Sequence, residues 1–497
     1  MQFDRAAGVF LHVTALPGAQ GIGTLGDPAH RFLDWLDRAG VSAWQFCPFG
    51  PTRAVHGHSP YQSPSAFAGN PLLVDHERLV EAGWLPADAL DDRPAFDDGE
   101  VRFDEVVPYA ETTLRTAFET FEAAADDEDR AAFEAFRDRE AGWLDDYALF
   151  AALKERYDEA AWTDWPEDVR RRTPKALASA REDLGESVRY HAFVQFCFVR
   201  QWRALREAAT ERGVDLVGDV PIYVATDSAD VWANPHAFRL DEDHQPAAVA
   251  GVPPQQGDEG QRWGNPLYDW EALADADYDW WVRRLARLYD LVDVVRLDHF
   301  KGFESYWAIP ADADHPSEGE WREGPGVDLF DAVEAELGAV RAIAEDLGHL
   351  TPDLHALREA TDIPGMRVSV YADWCAEDHL YQPHTYPHDA VAYTSTHDTD
   401  TVVGWYADLG DEQRDCLHYY LNTAGHEVQW DLLDAVWDSD AGLTVTPLQD
   451  VLGLGSDARF NTPGTLDGNW AWRVTDGQLS DDAADRLHGL TEHHDRT

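Results

Sequence analysis

Along this chain, short runs of apolar and β-branched residues alternate with longer stretches in which apolar side chains recur three and four positions apart. Eight of the short runs read as strands, at about 9–15, 43–48, 215–220, 293–297, 342–344, 366–371, 390–394 and 443–446. Their continuous hydrophobicity suits strands covered on both faces. Between them lie helix signals. Phe32, Leu33 and Leu36 share a face, and Gly40 supplies the stop. Trp281, Leu285 and Leu288 line a helix ahead of Asp293, and Thr351-Pro352 offers an N-cap with proline at the first helical position. This alternation implies parallel connections, and eight strands imply closure into an α/β fold of the (β/α)8, or TIM, barrel type. The gap between the second and third strands is too long for one helix. Residues 72–210 are therefore expected to hold a large, mainly helical insertion that includes the amphipathic run 188–209, with further insertions in other loops. No repeat or low-complexity linker marks off a second domain, so residues 1–497 read as one barrel.

In such a barrel, chemistry gathers at the C-terminal ends of the strands. The first ends in HVTALPG, the second in FGPT, the third in GDVPIYV, the fourth in RLDHF, the fifth in AEDLG and the seventh in YTSTHDTDT. Three of these ends carry an acid: Asp298, Glu345 and Asp398, with Arg296 and His397 close by. One strand-end acid commonly caps the next helix. Three at the same relative place on the fourth, fifth and seventh strands point to a site. Side chains alternate along a strand, so Arg296 and Asp298 share a face and should pair.

Composition adds the surface. Ninety-four acids oppose 39 bases, for a net charge of −55, and the only lysines are Lys154, Lys175 and Lys301. Such a field repels nucleic acid. The acids are spread between periodic segments, even where they cluster as at 126–129, which reads as a solvated surface adapted to high salt. Cys47, Cys197, Cys375 and Cys416 form no CxxC pair and are expected to be buried free thiols in a reducing compartment. The start, MQFDRAAGVFLHV, has no leader pattern, and no run approaches the roughly 18 apolar residues of a membrane span. A soluble, cytoplasmic protein without a membrane partner is expected, as monomer or small homo-oligomer. Of the 20 tryptophans and 17 tyrosines, most belong in the core. A minority sit among Gly, Pro and polar residues, where a flat ring suits the apolar face of a sugar.

At this point the residues match a known group. SPYQSPSAFAGNPLL at 59–73, GDVPIYV with DSADVW, AGVPP, GQRWGNPLY, RLDHFKGF, AEDLG, IPGMRV, THDTDT and ARFNTPGTLDGNWAWR occur in this order over nearly the whole chain. The chain resembles the amylomaltase, or disproportionating-enzyme, group: glycoside hydrolase family 77, within the α-amylase clan. The resemblance implies a 4-α-glucanotransferase acting on malto-oligosaccharides and α-1,4-glucans, with no cofactor and no metal. It implies Asp298 as nucleophile, Glu345 as general acid/base and Asp398 as the carboxylate that binds and distorts the sugar. It places His397 and Asp346 on sugar hydroxyls near the scissile bond, Tyr61 under the −1 sugar with Ser59 nearby, Trp263 in a lid around the acceptor, and Asn461 in a late loop facing the glucan. Asp219, in GDVPIYV, and Arg296 complete the expected substrate-binding set. Thr399, Lys301 and Ser395 stand where the group usually has asparagine, arginine and glycine, and the lid reads QQGDEGQ, an acidic version.

Retaining transfer needs two carboxyls about 5–5.5 Å apart, and neighbouring strands lie roughly 4.7–4.9 Å apart. Asp298 and Glu345 on adjacent strand ends fit. A metal-dependent hydrolase using His12, His299, His397 and Asp298 would need clustered neutral imidazoles. A degenerate barrel serving only for binding is disfavoured by the presence of both carboxylates. The alternative of the same chemistry is an α-1,4-glucan hydrolase of the α-amylase clan.

Overall fold

A computed structural model describes residues 3–255 and 259–497. Eight parallel strands close into a barrel in chain order: Ala6–Phe10, Ala43–Gln45, Asp215–Pro221, Val294–Asp298, Ala342–Ala344, Gly365–Val368, Ala390–Tyr393 and Leu443–Pro447. The first and last strands pair, Ala6 opposite Leu443 through Phe10 opposite Pro447. All eight expected strands are present. Three differ in extent: the second ends at Gln45 and the sixth at Val368, short of the expected 48 and 371, and the first differs most. It leaves the sheet after Phe10, and Val13–Ala15 form a 3-10 turn in which Ala15 N–H donates to the His12 carbonyl at 2.9 Å. These turn residues are as buried as the strand, so hydrophobicity alone does not separate the two.

Helices cover the barrel through the faces their spacing predicted. Asp27–Arg38 buries Phe32, Leu33 and Leu36 completely, each worth about 1.5–3 kcal/mol relative to exposure. Gly40 follows with φ 67°, a left-handed turn that glycine adopts without strain. Between the second and third strands run the long helices Phe103–Ala124, Asp127–Arg156, Pro174–Asp183 and Gly185–Glu211. Their core is aromatic: Phe121, Phe133, Phe193 and Phe196 pack around Trp84. The last of them returns to the barrel through Trp202, whose indole N–H donates to the Leu291 carbonyl at 2.8 Å and whose ring meets Phe49. The acidic block at 126–129 opens the second helix. Asp126 accepts from the Asp129 N–H at 2.9 Å, and the following acids lie at the positive end of the helix dipole.

The loops after the third and fourth strands build a second sheet, antiparallel, in the order Gln261–Pro266, Ala248–Val252, Ser305–Pro310, Glu320–Glu323. These loops were expected only as insertions without strands. Leaving from the C-terminal ends of the barrel strands, they carry Trp263 and Trp321 to the mouth of the barrel.

The cysteines divide. Cys47 and Cys197 are buried free thiols, as expected. Cys375 and Cys416 correct the expectation: they are joined in a disulfide, with Cα atoms 5.2 Å apart across 41 residues of sequence. They meet because the loop after the sixth strand folds against helix Asp411–Leu421, where Gln413 accepts from the Trp374 N–H and donates to Asp373. No local spacing reveals such a pair. Among the described residues, no helix is long and apolar enough to cross a membrane.

Candidate active site

Strand register sets the site. Asp219 on the third strand lies opposite Arg296 on the fourth, and Pro221 opposite Asp298. On the other side Arg296 pairs with Ile343 and Leu297 with Ala344. Continuing that register puts Asp298 level with Glu345, one residue past the fifth strand. Arg296 is buried and donates through Nη1 to Asp219 at 2.5 Å and to Asp298 at 3.0 Å. Asp298 therefore keeps a fixed counter-ion on its own strand face.

Glu345 is held by main chain. Its Oε2 accepts from the His299 N–H at 2.8 Å and its Oε1 from the Leu347 N–H at 3.2 Å. His299 has φ 53°, the left-handed turn that aims this N–H from the residue next to Asp298 toward Glu345. The backbone thus ties the two carboxyls together. Burial, and then the Asp298 charge, push the Glu345 carboxyl well above the usual carboxylate range, against these two hydrogen bonds and Arg296. A carboxyl so placed keeps its proton to higher pH than an ordinary carboxylic acid.

Asp398 is set by contrast as an anion. His397 Nε2 lies 3.2 Å from one of its oxygens, and Asn461 Nδ2 donates to the other at 2.6 Å. Burial opposes its charge, but the imidazole and the amide outweigh it and draw its pKa well below the ordinary value. The converse holds for His397: burial works against its charge, and Asp398 lifts its pKa nevertheless. Arg459 fixes the pair of loops, donating to the carbonyls of Asp398 at 2.9 Å and Asn461 at 2.8 Å.

A cavity of about 790 Å³ opens over these groups. Of the residues expected from sequence, Ser59, Tyr61, Trp263, Arg296, Asp298, Glu345, Asp398 and Asn461 line it. Tyr61 lies face to face with His397, centroids 5.5 Å apart, and its hydroxyl bonds Asp219 at 2.9 Å and His397 at 2.8 Å. Asp219 and His397 are buried just behind it. Trp263 meets the edge of His299 at 4.9 Å, and its strand is tied to the 59–62 turn by the Gln62–Asn265 hydrogen bond at 3.0 Å. Part of the acidic lid, residues 256–258, lies outside the described residues.

Asp346 does not reach the cavity. It is 1% exposed, accepts from the Met366 N–H at 2.8 Å, and turns its other oxygen toward Arg358 and Arg367. Next to Glu345 in sequence, it lies just past the strand, where its N–H turns back to the Ala344 carbonyl at 3.0 Å. Among the described residues, the alternative metal set is not one whose ligand atoms come within 4.8 Å of one another; the His12 ring lies against Phe460 and the His299 ring against Trp263. Burial lowers these imidazoles to about 3 and about 4.

The cavity wall holds five aromatic residues that were not anticipated, Tyr223, Trp321, Tyr371, Tyr381 and Trp470, and two of them are notably exposed. Tyr371, 45% exposed, sits after the sixth strand, close enough to Asp398 and Glu345 to feel both charges. Trp321, 38% exposed, comes from the antiparallel sheet and lies over the Lys301 ammonium at 5.2 Å. The signal for Tyr371 was its place at a strand end. Trp321 had none, because its strand was not recognised.

Comparisons to known proteins show the fold and the family. The model of the 4-alpha-glucanotransferase family, glycoside hydrolase family 77, matches residues 11–479. The 4-alpha-glucanotransferase of Thermus thermophilus is 46% identical, with 99% of each chain covered. That of Synechocystis is 42% identical over 98% of this chain and 97% of its own. The structure of amylomaltase from Streptococcus agalactiae in complex with acarbose superposes with a TM-score of 0.96 at 35% identity, covering 99% of this chain and all of that one. With the barrel, the paired strand-end carboxyls and this likeness along its full length, the chain belongs to the 4-alpha-glucanotransferase family.

Proposed function

We propose that the cavity performs retaining transfer of an α-1,4-glucan segment from a malto-oligosaccharide donor to the 4-hydroxyl of an acceptor glucan or glucose. The observation that carries this reading is the pairing of the fourth and fifth strand ends, which sets Asp298, with its Arg296 counter-ion, beside the half-buried Glu345. Asp298 attacks the anomeric carbon while Glu345 gives its proton to the departing 4-oxygen, so the glycosidic bond breaks as the glycosyl–Asp298 ester forms. Glu345, now a carboxylate, takes the proton of the incoming 4-hydroxyl. That oxygen displaces Asp298 and restores the starting state. Asp398, fixed by His397 and Asn461, binds hydroxyls of the −1 sugar and favours its distorted form. Tyr61 forms the platform beneath that sugar, Ser59 holds the Tyr61 turn, and Trp263 orients the acceptor. Asp219 and Asp346 act from behind: one anchors Arg296 and Tyr61, the other braces the wall between the fifth and sixth strands.

The assignment is tested by trapping. Glu345→Gln incubated with an α-maltosyl fluoride, whose leaving group needs no proton, accumulates a glycosyl-enzyme. Peptide mass mapping is expected to find the sugar on Asp298. A label on any other carboxylate overturns the pair.

The setting we propose is the cytoplasm of a salt-rich cell. With −55 net charge, intramolecular repulsion is strong in dilute buffer and screened at about 1 M salt, where the Debye length is about 3 Å. The melting temperature is therefore expected to rise by 10 °C or more, as a rough estimate, from dilute buffer to multimolar KCl. An equal or higher value in dilute buffer contradicts the salt-rich setting.

A further inference from the structure

Asp450 begins no step of the proposed reaction, yet its carboxyl is completely buried, 0% exposed to solvent. It lies on the short helix Leu448–Val451, directly after the eighth strand. Its Oδ2 accepts from the hydroxyls of Thr394 at 2.7 Å and Ser395 at 2.5 Å, and its Oδ1 accepts from the Val402 N–H at 2.7 Å. Among the described residues no basic side chain forms an ion pair with it. Its charged neighbour is Asp400, itself held by the Ser456 hydroxyl at 2.6 Å and the Thr401 N–H at 2.8 Å. Burying a carboxyl without a counter-ion is costly, so what these three donors achieve calls for an account.

The three donors come from the two ends of one segment. Thr394 and Ser395 follow the seventh strand, and Val402 opens helix Val402–Asp408. Residues 396–401 lie between them, and they include His397 and Asp398. One carboxylate therefore closes the base of the loop that carries both groups. Within the loop, Thr399 Oγ1 accepts from the Thr396 N–H at 2.9 Å and donates to its carbonyl at 3.1 Å, so the span above the clamp is internally braced as well. The seventh strand is tied onward to the sixth, where the Ser369 hydroxyl donates to the Thr394 carbonyl at 2.8 Å. The Ser395 hydroxyl makes the shortest of the three contacts to Asp450, 2.5 Å against 2.7 Å for the other two.

We infer that Asp450 is a positioning residue: it joins the two ends of segment 395–402 and thereby sets the height of His397 and Asp398 against the −1 sugar. The inference rests on the roles proposed for those two residues. Asp450 acts through them and touches no substrate. Since Asp398 matters most when the sugar is distorted, a shift of its position should appear in kcat rather than KM.

The test compares variants of the full chain by kcat and KM on maltotriose, with far-UV circular dichroism and thermal melting to establish folding. Asp450→Ala is expected to lower kcat about 100-fold with KM within about 3-fold. Asp450→Asn should stay within about 10-fold of wild type, because its amide oxygen can accept from Val402 and its NH2 can donate to the two hydroxyl oxygens. Ser395→Gly should lose about 3-fold. Adding Thr394→Val and Ser395→Gly to Asp450→Ala should cost little more, since all three changes break one clamp. A folded Asp450→Ala within 3-fold of wild-type kcat overturns the inference, as does a loss that multiplies with the hydroxyl deletions. If Asp450→Ala does not fold, Thr394→Val with Ser395→Gly decides: unchanged kcat overturns it, a loss in kcat at constant KM supports it. Asp398→Asn is measured alongside. If it keeps full turnover, the proposed role of Asp398 fails and the inference with it. If it is inactive while Asp450→Ala is not, the inference alone fails.

Discussion

Asp298→Asn is expected to reduce turnover on maltotriose by about 10⁴-fold or more, the scale of losing a covalent nucleophile, while the protein stays folded. The side-chain oxygen of asparagine can still accept from Arg296, which lies 3.0 Å away, and Arg296 keeps its buried partner Asp219. The charge that attacks the anomeric carbon is gone, so no glycosyl-enzyme should form even on a maltosyl fluoride. Steady-state rates and intact-protein mass spectrometry on that donor check both statements. A variant that still accumulates a covalent sugar contradicts the assignment of Asp298.

Glu345→Gln separates the two carboxyls by their chemistry. On ordinary glucans the departing sugar oxygen needs a proton, and loss of the donor should cost about 10²–10⁴-fold. On a maltosyl fluoride the first step should survive. The pH profile carries the same information. Burial and the Asp298 charge raise the Glu345 pKa, and in the proposed reaction the protonated form is the one that acts first. The wild-type rate should thus hold past the ordinary carboxylate range and fall as pH rises through the raised value. Formation of the glycosyl-enzyme from the fluoride by Glu345→Gln should lack that alkaline limb. An unchanged limb in the variant would assign it to another group.

Much of this site was legible before the structure because the barrel strands are buried on both faces. Their apolar runs stand out, and the residues just after each run fall on one rim. Alternation along the fourth strand was enough to pair Arg296 with Asp298. Glu345 and Asp346 lie past the fifth strand, where the Asp346 N–H turns back to the Ala344 carbonyl at 3.0 Å, so alternation along a strand did not reach Asp346. The antiparallel sheet was not legible. Glu320–Glu323 is largely exposed and carries no apolar run, and the strand at Ala248–Val252 pairs with its neighbour through an irregular register around Gly251. Trp321 was hidden with it. The Cys375–Cys416 bond depends on where a loop lands on a helix, which a sequence separation of 41 does not disclose.

In the proposed reaction, whether the glycosyl–Asp298 ester meets a sugar or water is decided by how the acceptor is held. Water is present at about 55 M, whereas a well-oriented acceptor can reach effective molarities of about 10⁵ M or more. Trp263 at the cavity wall is the residue we expect to supply much of that orientation. The most direct test is to incubate the purified wild-type protein with maltotriose alone, in high salt, and follow chain lengths and total reducing ends together. Transfer conserves the number of glycosidic bonds, so glucose should appear with maltopentaose and longer chains while reducing ends stay nearly constant. A steady rise in reducing ends, with no product longer than maltotriose, would contradict the account and make this chain a hydrolase.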